Sequence, residues 1–562
     1  MKHRNLFIVL TALATSSFEL WATTYYVDAR NGNDTRSGTS TFQPWRTISR
    51  VNKQRLKPSD QVLFRRACEW RETLCLTASG TSGKPIMFAA YGDGALPRLD
   101  GSDDYANAKL WTKRSENVWS TIDGTFPTDI GHIQLDGELM AARALSQADL
   151  NTQWQFYHDP ARKCVMVWST NNPALLVKRL SVAARDFCVS GSGCHDIVLR
   201  DMTLAHPAVH GFSGYNNNRI TLENCTIEWV GGRLYNKKVG YGNGIEFGGS
   251  VRDCRVVNCT IAQVFDSAIT HQNWDKDGQE QCRIEFRGNR ILKCAVGIEV
   301  FSKSGAVYDC SYRDNVILDC GRGWSSNGGL WATGFRMGAC VNGYQKVKIT
   351  GNRIENSLHC GILISSGGQV DLDGNRIVGC DVGLNIDVKS DGQPYVGIVH
   401  NNLIINNTAR GIYIRASSGQ CVFSSNTIAS NGNRKEWNNN NVTLDGASNT
   451  TWTSNILYGT ASFAVAINNT THTLDYNCYY RPSGPAIAWD NTKKSFTAET
   501  FGQYQKLSGQ DAHSFVGDPN FTNLESMDLT LRDDSPCLTK SAQRDGRLNL
   551  GATGKWLKAP NL

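Results

Sequence analysis

Asn243-Gly244-Ile245-Glu246-Phe247 and Val296-Gly297-Ile298-Glu299-Val300 are two near copies of one phrase. In each, apolar residues flank a glutamate at the two-residue period of a short strand, so Ile245 and Phe247 point one way and Glu246 the other. Variants return as Gly334-Phe335-Arg336-Met337, Gly361-Ile362-Leu363-Ile364, Gly383-Leu384-Asn385-Ile386 and Gly411-Ile412-Tyr413-Ile414. Between the first two lies Phe265-Asp266-Ser267-Ala268-Ile269-Thr270-His271-Gln272. If these strands stack in register, their outward residues make one column: Glu246, Thr270, Glu299, Arg336, Leu363, Asn385, Tyr413.

A second signal repeats with the first. An apolar residue closes an Asn/Gly-rich phrase at Leu204, Ile227, Ile261, Ile291, Ile317, Ile354, Ile377, Ile404 and Ile428, at spacings of 23, 34, 30, 26, 37, 23, 27 and 24 residues. Repeats of this length, with period-2 strands and no helical stretches, indicate an all-β chain wound as a parallel β-helix, or solenoid. Asparagine at a fixed turn position suits left-handed backbone and can stack as an amide ladder. Adjacent rungs then lie about 4.8 Å apart.

The remaining segments dress this core. Residues 1–22 have a basic start at Lys2 and Arg4, an apolar stretch from Leu6 to Ala14 and a small residue at Ala22, the pattern of a secretory signal peptide. Residues 23–104 read as an N-terminal cap with first strands. Tyr25 to Val51, with Pro44-Trp45-Arg46-Thr47-Ile48, and Pro85 to Gly92 resemble the N-terminal caps of bacterial right-handed parallel β-helix proteins of the pectate-lyase-like superfamily. That resemblance implies a right-handed solenoid and a carbohydrate-active protein. Residues 105–180 read as an inserted β-rich subdomain, 181–480 as the β-helix and 481–562 as a C-terminal cap. The eighteen cysteines all follow the signal segment. An oxidising destination would pair some of them, with Cys68–Cys75, Cys188–Cys194 and Cys478–Cys537 as candidates, while Cys294, Cys320 and Cys380 suggest a stacked column of buried thiols.

The longest spacings force extra residues into loops around 229–241, 273–281 and 321–331, rich in aromatic residues. Trp229, Tyr241, Trp274, Trp324 and Trp331 would wall a groove whose floor carries charge, the arrangement a sugar chain needs. Glu246 and Glu299 stand two rungs apart, so Glu246 is read as general acid and Glu299 as base, with Asp266 as rival and Arg336 holding Glu299 ionised. His271, Gln272, Lys303 and Asp387 complete the candidate substrate-binding set, although alternation turns His271 inward.

These features favour a secreted or periplasmic glycoside hydrolase acting on a polysaccharide as a monomer. The net charge of +7 favours an acidic polymer, but no basic run suggests nucleic acid, and no apolar run is long enough to span a membrane. The hydrolase reading requires no cofactor. A polysaccharide lyase is the alternative, with Arg336, Lys303 or His271 as catalyst and Ca²⁺ or arginine neutralising a uronate. A non-catalytic polysaccharide-binding solenoid is the third reading.

Overall fold

The computed structural model describes residues 22–235, 239–275, 278–325, 332–388, 393–415, 418–434, 440–445, 449–468, 471–489, 493–539 and 550–554. Residues 1–21 of the expected signal segment and Trp331 lie outside this set. The chain winds into a parallel β-solenoid with three long sheets running its length. Each turn adds to all three sheets, with the first-sheet strand split in two in some turns, and the first turn contributes Gln61–Arg65, Glu69–Trp70 and Leu74–Leu76. Among the described residues no helix is long and apolar enough to cross a membrane.

The repeated Gly-Ile phrase forms the third sheet, and its register is the one alternation dictates. Glu246 pairs with Thr270, Thr270 with Glu299, Glu299 with Arg336, Arg336 with Leu363, Leu363 with Asn385 and Asn385 with Tyr413. The isoleucines fill the interior; Ile245, Ile298, Ile362 and Ile412 are fully buried. The glycine of the phrase has a steric cause. A Cβ on Gly244, Gly297, Gly334, Gly361, Gly383 or Gly411 would come within 2.3–3.0 Å of an isoleucine Cγ2 from the second sheet. Only a residue without a side chain fits there.

The asparagine positions divide into two adjacent columns. The left-handed residue at the first turn is Asp201, Asn224, Asn258, Gly288, Asp314, Gly351, Gly374 or Asn401, with φ between 53° and 65°. The stacked amide is its successor. Asn289, Asn315, Asn352, Asn375, Asn402, Asn426 and Asn455 each donate both the backbone N–H and the side-chain Nδ2–H to the Oδ1 of the next asparagine, ending at Asn477, at 2.9–3.1 Å. The left-handed turn and the ladder are therefore separate requirements: the turn position accepts Asp, Gly, Ser or Asn, whereas the ladder position from 289 to 477 is Asn on every rung.

Two boundaries differ from the sequence reading. The solenoid begins near Gln61, and the inserted subdomain interrupts its second turn: Arg98–Asp100 belongs to the second sheet, and the matching third-sheet strand, Phe187–Ser192, comes only after the insertion. At the other end, the cap is the short helix Phe501–Ser508, whose buried Tyr504 shares the carboxylate of Asp511 with Tyr479. The final hairpin, Phe521–Asn523 with Asp528–Leu531, lies instead along the side of the second sheet, against Leu403, Ile405 and Ile456. The N-terminal opening is closed by Ile48–Asn52, with Ile48, Val51 and Trp45 buried.

All eighteen cysteines are free, and only Cys75 is not fully buried. The three candidate disulfides are absent because the thiols face different neighbours. Cys188 Sγ contacts the Ala205 carbonyl at 3.3 Å, Cys194 the Leu76 carbonyl at 3.2 Å and Cys478 the Gly517 carbonyl at 3.3 Å. A thiol reagent should therefore modify at most Cys75 in the native protein and all eighteen after unfolding; fewer in denaturant would reveal disulfides and contradict the arrangement. Asn375→Ala should lower stability by roughly 2–4 kcal/mol, because buried partners on both neighbouring rungs lose their bonds. An unchanged denaturation midpoint would show that the ladder contributes nothing.

Candidate functional site

The outward column becomes chemically dense where three consecutive turns place Glu246, Asp266 and Glu299 on one side of the solenoid. Glu246 is held by a single oxygen. Its Oε2 accepts from Asn243 Nδ2 (2.6 Å) and Gln272 Nε2 (3.0 Å) and lies 3.2 Å from His210 Nε2. The Asn243 backbone N–H donates to His210 Nδ1 at 2.9 Å, so the ring proton sits on Nε2 and faces the carboxylate. The ring is stacked on Phe187 and meets Tyr241 edge-on, with centroids 5.7 and 5.9 Å away. Glu246 Oε1 accepts no hydrogen bond among the described residues.

Glu299 is held on both sides. Arg336 Nη1 donates to Oε1 and the Ser267 hydroxyl to Oε2, each at 2.7 Å. The sequence reading put Glu299 in open solvent beside Glu246. It is instead only 7% exposed, although on the outer face, because Ser267 and Arg336 cover it. Asn243 ties the two carboxylates together: its Nδ2 serves Glu246, and its Oδ1 accepts the Ser267 backbone N–H at 3.0 Å.

Asp266 stands at the turn just before Ser267 and is the carboxyl with the changed proton affinity. Burial, then the neighbouring charges of Glu299 and Glu246, push its pKa up to about 8, against a lowering influence from Arg336. Its carboxyl accepts no hydrogen bond among the described residues. A half-buried carboxyl next to two other carboxyls keeps its proton near neutrality, since desolvation and like charges both disfavour ionisation.

The other candidates are spread more widely. Gln272 faces outward and bridges Glu246 to the Trp274 indole. Tyr241 ends the hairpin Arg233–Tyr235/Val239–Tyr241 and packs on His210. Trp274 is 61% exposed. Trp324 is used for packing: its N–H donates to the Gln263 carbonyl at 2.8 Å and its ring sits against Phe265 and His132. Trp229 occupies a left-handed turn position with φ 53°. Lys303 is exposed beyond the end of its strand, and Asp387, two turns past Arg336, lies 3.9 Å from Arg415. His271 is excluded from the groove. It is fully buried inside the solenoid, bonded to Gln281 and Tyr312, and desolvation lowers its pKa to about 4.

Sequence reasoning missed His210 and the roles of Asn243 and Ser267. The signal is a second register column, Phe187–His210–Asn243–Ser267, three residues ahead of the glutamates.

Residues 163–337 and 332–435 match the family described as the right-handed beta helix region. A segment of 87 residues is 37% identical to lacto-N-biosidase of Bifidobacterium longum subsp. longum, covering 15% of this chain and 5% of that protein. The uncharacterized protein YwoF of Bacillus subtilis is 24% identical over 187 residues, 31% of this chain and 40% of YwoF. The chain thus spans well under half the length of either curated relative. Among solved structures, XylC in complex with xylose aligns over 89% of this chain and 87% of its own, at 14% identity and a TM-score of 0.49. GH136 lacto-N-biosidase from Eubacterium ramulus aligns over 70% and 64%, at 14% identity and a TM-score of 0.39. With its three parallel sheets, its stacked amides and the matched region through its centre, the chain is a right-handed parallel β-helix protein.

Proposed function

We propose that this protein is a secreted or periplasmic carbohydrate-active enzyme, a glycoside hydrolase that cleaves a polysaccharide with Asp266 as general acid and Glu246 as the second catalytic carboxyl. The observation that carries the reading is a carboxyl of raised proton affinity, Asp266, one rung from a glutamate with an open oxygen. Asp266 is held protonated near neutrality, and Glu246 receives three nitrogen contacts on one oxygen while the other has no hydrogen-bond partner among the described residues. A protonated carboxyl beside a second carboxyl with an accessible oxygen supports one acid and one nucleophile or base. This reverses the role that sequence alone suggested for Glu246. Glu299 becomes a support, because both of its oxygens are already engaged by Arg336 and Ser267.

In this reading Asp266 gives its proton to the glycosidic oxygen as the bond to the anomeric carbon breaks. Glu246 Oε1 stabilises or attacks that carbon, or activates the water that does. Elimination is less well supported: Arg336 is engaged with Glu299, His271 faces the interior and Lys303 is not brought to the carboxylates.

Asp266→Asn and Glu246→Gln should each lower turnover by roughly two to four powers of ten. Reducing ends and unsaturated uronate products would be followed on a panel of neutral and acidic polysaccharides. An active Asp266→Asn enzyme, or one releasing unsaturated products, would overturn the assignment. The same substitution should act on stability in the opposite direction. A carboxyl whose folded pKa is raised stabilises the fold at low pH, and that contribution is lost as pH rises toward the raised value. The native protein should therefore lose stability between about pH 4 and pH 8 through Asp266, and Asp266→Asn should flatten this slope and melt higher at pH 8. Parallel melting curves for the two proteins across that range would rule the raised affinity out.

A further inference from the structure

Trp274 follows the last residue of the strand Ser267–Asn273 and presents a largely open ring to solvent, 61% exposed. The ring lies on Phe301, with centroids 4.1 Å apart and planes 28° from parallel. Phe301 is the register partner of Gln272 on the next rung, so one face of the indole is backed by Phe301 and the opposite face is left to solvent. The turn carrying the ring is fixed. The Tyr215 hydroxyl contacts the Asp275 carboxylate, and the Asp275 N–H donates to Asn273 Oδ1 at 2.9 Å.

The edge of the same ring reaches the carboxylate cluster. The Trp274 indole N–H donates to Gln272 Oε1 at 3.1 Å, and Gln272 Nε2 donates to Glu246 Oε2 at 3.0 Å. An indole nitrogen can only donate, and a carboxylate can only accept. One orientation of the Gln272 amide satisfies both, and the indole enforces it.

We infer that Trp274 is at once the stacking platform for the sugar residue next to the cleaved bond and a positioning residue for Glu246, acting through Gln272. This rests on the hydrolase reading above. The platform lies one amide away from the reactive carboxylate, a gap that one pyranose ring spans. The substrate is therefore a chain of at least two sugar residues, lying along the strand direction and across the solenoid axis. A sugar seated on the ring holds the indole in place and so keeps the Gln272 donor aimed at Glu246. Occupancy of the neighbouring subsite and the state of the carboxylate are coupled.

Three variants separate the two roles. Trp274→Phe keeps a ring on Phe301 and removes the N–H; Gln272→Leu removes the bridge and keeps the platform; Trp274→Ala removes platform and donor. Trp274→Ala should weaken oligosaccharide binding, measured in an Asp266→Asn background, by about two- to tenfold. Trp274→Phe should bind nearly normally but turn over more slowly, with the acid limb of its kcat profile moved to higher pH, because a carboxylate losing a fixed donor ionises less readily. Gln272→Leu should share that shift. A readout independent of turnover is the indole N–H resonance of Trp274, identified by its loss in Trp274→Phe. It should titrate as Glu246 protonates and become insensitive to pH in Glu246→Gln. A resonance indifferent to Glu246→Gln, or an unmoved pH profile in both Trp274→Phe and Gln272→Leu, overturns the coupling. Unchanged oligosaccharide affinity in Trp274→Ala overturns the platform. A resonance that behaves as expected in a protein cleaving no glycan would instead refute hydrolysis and leave the coupling standing.

Discussion

Strict register between neighbouring rungs is the constraint on which everything else here depends. A solenoid buries a row of backbone and amide groups that water cannot reach, and each must find a partner one rung away. The asparagines from 289 to 477 do this twice over, through backbone and side chain, while the glycines of the third sheet leave room for isoleucine methyl groups opposite. A slip by one residue would unpair the ladder and drive a Cβ into an isoleucine. The interior therefore fixes which residues face out.

The carboxyl cluster borrows that rigidity. Glu246, Asp266 and Glu299 come from successive turns, so their separation is set by strand stacking and not by a loop. The protein then spends stability locally: it keeps a protonated carboxyl beside two others and offsets the crowding of like charge with Arg336, Ser267, Asn243 and His210. Such groupings persist only where the surrounding structure over-determines them. Here the surroundings are the register columns themselves.

The outward column was legible because strand alternation and the recurring Gly-Ile phrase are local properties. Residues that act from a neighbouring column were not, since nothing local marks His210 as the partner of Glu246, or Ser267 as the cover of Glu299. Asp266 illustrates the same limit. Its position at a turn was visible, but its proton affinity depends on two carboxyls that only winding brings near. The cysteines failed in a different way. An argument from compartment predicted pairing, whereas stacking sends thiols of the expected pairs Cys188–Cys194 and Cys478–Cys537 to backbone carbonyls, as at Cys188, Cys194 and Cys478. For His271 alternation pointed inward, and the buried bonds to Gln281 and Tyr312 show why a polar ring is tolerated there.

The insertion within the second turn bears on how such a protein can change. Leu76 pairs with Gly191, over a hundred positions along the chain, whereas later turns close over 23–37 residues. Closure entropy grows only with the logarithm of loop length, so this detour costs on the order of 1 kcal/mol more than an ordinary turn. The inserted subdomain holds the hairpin that carries Tyr241, through Asp129 to the Leu234 N–H and His132 to the Gly231 carbonyl. The hairpin that packs on His210 beside Glu246 thus rests on an exchangeable cassette. Descendants of this fold could acquire new substrate preferences by replacing residues 102–183 while the rungs bearing the carboxylates stay untouched.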